Sequence, residues 1–280
     1  MKRFALWLVA IVMALCMQAV RAQGHDVYFV GVDGLSTIQR GTYAALPNPN
    51  FGRLTLLLAH YTPGTEHYHS IGVWSYTGDP SNPVVNNTNA NNRLPELHQR
   101  PTGQEYIYLY PGSGAFAGHY RSGIVVDPER EEYSNLLMQP TAVLAGSTDP
   151  ALQRLYNSSG GRWTGMLGEA RIGLRLVDIT PGLRITLPDG TPILTSVGNV
   201  YEIGIGDNFA FTPVFSVQMG SPVQVYSASF QLIDLNNTAG YRPLRDSGVF
   251  HFDFYPVPEP STIAVLGMGV LGMWLHRRKR

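Results

Sequence analysis

The sequence predicts an all-β protein: an antiparallel β-sandwich with one short helix, flanked by targeting segments at both ends. Three observations point there. Short apolar runs rich in β-branched and aromatic residues recur along the chain, broken by turn residues. Glycine and proline are abundant, at 30 and 20 of 280 residues, while charged residues make up only 14%. The stretch VYSASFQLIDL nearly alternates. Tyr226, Ala228, Phe230 and Leu232 fall on one face and Ser227, Ser229 and Gln231 on the other, as in a strand with one buried side.

The expected strands, in chain order, are 26–32, 53–61, 69–76, 105–110, 124–126, 171–179, 199–205, 211–219, 223–235 and 248–256. The helix starts after Asp149, whose carboxylate can cap it, with Pro150 at its first position and Gly160-Gly161 beyond its end. The Asn- and Pro-rich segment 77–93 reads as a long loop. About 235 residues between the end segments suffice for one large β domain or two small ones meeting near 145–165.

The first 22 residues read as a secretory signal peptide. Lys2 and Arg3 precede an apolar run, and Val20-Arg21-Ala22 offers a small residue at the cut. Cys16, the only cysteine in the chain, lies inside that segment. Leu15 precedes it where a lipoprotein signal needs a small residue. The mature chain therefore has neither a disulfide nor a cysteine metal site.

The formal charge of zero conceals an asymmetry. Seven of the twenty basic residues lie in the end segments (Lys2, Arg3, Arg21 and the last four). Between Ala22 and His276, thirteen arginines stand against all twenty acidic residues, a net charge of −7 with no lysine. An acidic ectodomain argues against nucleic-acid binding and is compatible with cationic ligands.

The segment HYTPGTEHYHS, residues 60–70, carries the chemistry. Pro63 and Gly64 place a tight turn at 62–65, because proline fixes φ at the second turn position and glycine accepts positive φ at the third. Pairing outward sets Thr62 against Thr65, Tyr61 against Glu66, and His60 against His67. Directly opposed residues have Cβ atoms about 5 Å apart, and positions i and i+2 share a face. His60, His67 and His69 therefore converge, and a slip of one residue would turn His60 away. Three neutral imidazoles with an open fourth position suit Zn²⁺. His25, His119 and His251 are further candidate ligands, the last sharing a strand face with Asp253. His98 falls in a loop.

Alternative chemistries lack their parts. Asp33 in VYFVGVDGLS superficially resembles the first metal-binding residue of alkaline-phosphatase-type phosphodiesterases, but the later Asp-His and Asp-x-x-x-His motifs are absent. No G-x-S-x-G elbow supports a serine hydrolase, and GSGAFAG and GIGDN read as turns rather than phosphate loops. The chain is not expected to be an enzyme.

The C-terminal VPEPSTIAVLGMGVLGMWLHRRKR resembles the PEP-CTERM sorting signal. It combines the Pro258-Glu259-Pro260 motif, a thirteen-residue apolar run from Ile263 to Leu275, and a basic end. Thirteen residues rise about 20 Å as a helix against the roughly 30 Å of bilayer hydrocarbon, and the basic cluster stays cytoplasmic. The resemblance implies an exported chain, held transiently at the inner membrane and processed by an exosortase-type enzyme. Its destination would be the periplasm, the outer surface or the extracellular matrix.

The runs HDVYFVGVDG, NPNFGRLT, HYTPGTEHYHSIGVWSYTG, NANNRLPE, LYNSSGGRW and SGVFHFDFYPVPEPS also resemble PEP-CTERM proteins whose genes are repressed by the zinc-uptake regulator. That resemblance implies zinc acquisition or buffering outside the inner membrane, with a zinc-uptake component as a partner. His67 and His69 match its histidine segment, and His60 follows from the register. The competing expectation is a structural surface or matrix protein without metal.

Overall fold

The computed structural model describes residues 27–98, 100, 103–128 and 130–258. The signal peptide, His25, Glu259, Pro260 and the apolar run from Ile263 lie outside them. Among the described residues no helix is long and apolar enough to cross a membrane.

The protein is all-β. The strands are β1 (Tyr28–Val32), β2 (Leu54–His60), β3 (His67–Ile71), β4 (Ser75–Thr77), β5 (Val84–Asn86), β6 (Arg93–Leu94) and β7 (Ile107–Pro111). They continue with β8 (His119–Arg121), β9 (Met138–Pro140), β10 (Arg171–Ile179), β11 (Arg184–Thr186) and β12 (Val200–Ile205). The last three are β13 (Val214–Gln218), β14 (Tyr226–Asp234) and β15 (Phe250–Pro256). Helix α1 (Pro150–Tyr156) begins as expected: the Asp149 carboxylate accepts from Ala151 N at 2.8 Å, with Pro150 at the first position.

Two sheets face each other. A four-stranded sheet runs β3-β2-β1-β9, and a nine-stranded sheet runs β11-β13-β8-β7-β15-β14-β10-β12 with β6 beside β15. Their inner faces share one apolar core. It takes Tyr28, Val30, Leu56 and Leu58 from the small sheet and Phe230 and Phe252 from the large one. The rings of Tyr28 and Phe252 meet edge-to-face at 5.4 Å between centroids. On its other side the small sheet buries Phe29, Leu57 and Ala59 against Leu144, Leu155 of α1 and Trp163. Burial on both faces explains why β1 and β2 are continuous apolar runs, whereas β14 alternates.

Three departures from the sequence expectation have physical causes. The sandwich is not purely antiparallel, because β1–β9, β15–β6 and β15–β7 are parallel. Each of these pairs joins segments far apart in the chain, where no hairpin dictates direction. The strand expected at 69–76 breaks at Gly72, where φ is +62° and an added Cβ would lie 2.3 Å from the Val249 carbonyl oxygen. Residues 124–126 are not a strand. Val125 and Val126 are exposed, and β8 forms just before them between Gly118 and Gly123, both at positive φ.

Candidate metal centre

The β2–β3 hairpin closes in the expected register. Its turn is fastened by Thr65 N donating to Thr62 O at 2.9 Å, with Gly64 at φ +82°. Leu58 pairs with His69 and His60 with His67. A second clamp holds the tip. Glu66, almost fully buried, accepts from Arg154 of α1 at 2.6 and 2.8 Å and from Gly64 N at 3.2 Å. The Arg154 guanidinium holds the Glu66 pKa down at about 2. Tyr68, between the two histidines of β3, points to the opposite face and packs edge-on against Phe29.

The three imidazoles gather on one face. Ring centres lie 4.0 Å apart for His60 and His69, 4.9 Å for His67 and His69, and 5.5 Å for His60 and His67. Two imidazoles on one tetrahedral ion, with nitrogens 2.0–2.1 Å from it, hold their ring centres about 5 Å apart. Beneath them sits a carboxylate not singled out in the sequence. Glu96 is fully buried, just beyond β6. Its Oε2 lies 3.0 Å from His60 Nε2 and its Oε1 2.8 Å from His69 Nδ1. Asn91 Nδ2 donates to Oε1 at 2.7 Å, and the Tyr133 hydroxyl approaches Oε2 at 3.4 Å.

Burial alone would raise the Glu96 pKa. The hydrogen bonds from His60, His69 and Asn91 outweigh it and hold the group well below the usual carboxylate range, so it stays anionic. His60, His69 and Glu96 each present a donor atom, all within 4.8 Å of one another.

His67 is oriented for the same work. A backbone carbonyl can only accept, so the 2.8 Å contact from Nδ1 to Thr65 O places the hydrogen on Nδ1. Its Nε2 lone pair then faces His69 Nε2 at 3.1 Å. Two ligand atoms of a tetrahedral ion at 2.0–2.1 Å are about 3.3 Å apart. A ligating histidine whose other nitrogen is pinned to a carbonyl has its tautomer fixed in advance. His69 turns Nδ1 to Glu96 and Nε2 to His67, so an ion shared by all four residues requires its ring to turn. As a set of donors, three imidazoles and one anionic carboxylate suit a borderline divalent cation such as Zn²⁺.

The other candidate ligands lie elsewhere. His119 is on β8 of the large sheet, its Nε2 3.1 Å from Arg184 NH1, a contact that puts a cationic group where a metal would have to sit. His251, on β15, is held by Ser229 Oγ at 2.6 Å, and burial followed by the Arg93 guanidinium lowers its pKa. Its strand neighbour Asp253 is engaged by Arg93, Arg100 and Ser227. Asp33 is fully buried, with its oxygens taken by Arg162, Asn48 Nδ2 and Leu35 N. His98 is exposed, yet its ring centre lies 5.9 Å from that of His69.

Comparison with known protein families matches residues 256–280 to the PEP-CTERM protein-sorting motif. Comparison with the curated proteins and with the solved structures finds no match. The likeness to zinc-regulated proteins therefore gains no support from a relative. The sorting motif implies export, a membrane-anchored stage and processing by an exosortase. What the C-terminal segment establishes about this chain is that it carries a PEP-CTERM sorting signal.

Proposed function

We propose that this exported protein binds zinc through His60, His67, His69 and Glu96 and captures or buffers the ion outside the inner membrane when zinc is scarce. The observation that carries the reading is the fully buried Glu96 carboxylate bridging His60 and His69. An anion in such a place calls for positive charge, and the groups around it can exchange hydrogens for a metal. Binding and surrender to a zinc-uptake component describe the role. No catalytic step is assigned to it. The test is metal analysis of the purified protein beside a His60/His67/His69 triple-alanine variant. Zinc in the wild type alone is expected, and equal zinc in both would remove the site.

One observation favours a second reading, a structural surface protein without metal. Hydrogen bonds alone can tie the cluster together, since Glu96 accepts from Asn91 and contacts two histidines. That reading expects no zinc in either protein and no stabilisation by it.

A further inference from the structure

Tetrahedral sites whose four ligands all come from the protein hold zinc well and give it up slowly. A protein that buffers zinc needs a way to let it go. Ligand exchange at Zn²⁺ can pass through a fifth coordination position, to which the ion is able to expand. An additional donor poised at the mouth of a closed site would open that route.

His98 stands in that place. It follows Glu96 by two residues and is exposed, where the Glu96 side chain is fully buried. Its ring centre is 5.9 Å from that of His69, just beyond the 4.0–5.5 Å spread of the hairpin's three ring pairs. The short segment that carries it is clamped on both sides. Glu96 is held by His60, His69 and Asn91. Arg100 donates to Pro95 O at 3.0 and 3.1 Å and to the buried Asp253 carboxylate at 2.6 Å. His98 is thus carried beside His69 by the same chain segment that supplies the buried Glu96. Exposure rises from Glu96 through His60 and His69 to His98.

We infer that His98 is an exchange ligand: it takes the ion as a fifth donor on entry and exit and sets the rate of zinc transfer rather than the affinity. This rests on the zinc reading given above. It names a residue outside the hairpin and a kinetic role for it.

The test uses the whole protein and its His98→Ala variant, a substitution at an exposed loop position. Both are loaded with Zn²⁺, the dissociation constant is measured by competition, and release to a chromogenic chelator is followed by stopped flow. The expected result is a dissociation constant changed by less than about threefold and transfer slowed about tenfold, equivalent to about 1.4 kcal/mol in the barrier. His98→Lys, which keeps the residue polar but supplies no imidazole, should behave like alanine. Unchanged transfer rates in both variants would overturn the inference while leaving the hairpin site standing. So would a large loss of affinity with faster release, which would make His98 an ordinary ligand. Failure of the wild type to bind zinc would remove the parent reading and this one with it.

Discussion

Glu96 and Asp253 are the same kind of problem solved in two ways. Each is a carboxylate almost fully withdrawn from water, at 0% and 1% exposure. Each is held below its ordinary pKa, because hydrogen bonds outweigh the upward push of burial. Asp253 is met by two guanidiniums and a hydroxyl. Arginine is never deprotonated and cannot ligate a metal, so the cluster is complete and closed to other cations. Glu96 is met by two imidazoles and an amide. An imidazole nitrogen can carry a hydrogen or a metal ion, so the same depth of burial leaves room for exchange. The identity of the neighbouring base, not burial, separates a structural carboxylate from a candidate ligand.

Breaking the closed cluster should cost most. Asp253→Ala leaves Arg93 and Arg100 facing a buried gap, and removing one partner of a buried ion pair costs about 3–5 kcal/mol. Urea denaturation should show that loss with zinc binding intact in whatever protein remains folded. A variant as stable as the wild type would erase the contrast. Next comes the ligand effect on the open cluster. Free zinc at one hundred times its dissociation constant should add about 2.7 kcal/mol to wild-type stability. The His60/His67/His69 triple-alanine variant should gain nothing, as read by thermal unfolding with and without the ion.

Glu96→Gln keeps the shape of the floor and removes its charge. It should weaken zinc binding by at least about ten- to a hundredfold by calorimetry, the loss found even when only the groups supporting metal ligands are altered. Unaltered affinity would assign Glu96 to the architecture alone. The smallest effect concerns pH. Glu66 sits at about 2 because of Arg154, well below the ordinary glutamate value of about 4.3. A depressed folded-state pKa contributes stability above the unfolded value that is lost as pH falls through the folded one. Wild-type stability should therefore decline from about pH 4.5 towards 2. Arg154→Ala should flatten part of that decline, and identical slopes in urea midpoints against pH would exclude the clamp.

The hairpin was legible in the sequence because its determinants are local. Pro63 and Gly64 specify the turn, and from the turn the pairing of His60 with His67 is arithmetic. The helix cap at Asp149 and the alternating β14 were readable for the same reason. Glu96 was not. It lies 36 residues beyond His60 and 27 beyond His69, and it arrives only because β6 adds itself alongside β15 from the far end of the chain. The one available signal was a glutamate set between apolar residues in Leu94-Pro95-Glu96-Leu97, an odd place for a charge. Of the β4–β5 hairpin, Ser75 and Tyr76 fell at the end of the strand expected at 69–76, but β5 was hidden in the Asn- and Pro-rich stretch, because Val84 and Val85 are both exposed and show no apolar alternation. The parallel pairings were hidden because tertiary packing, not a turn, sets their direction.

The end of β15 has a consequence for maturation. That strand lies inside the large sheet between β14 and β7, and its pairing with β7 continues through Val257 N, which donates to Leu109 O at 2.9 Å. Pro258, where the Pro-Glu-Pro triplet begins, is the very next residue. No spacer separates the triplet from the folded body. Any enzyme that reads the triplet meets, one residue before it, a backbone already bonded into the sheet.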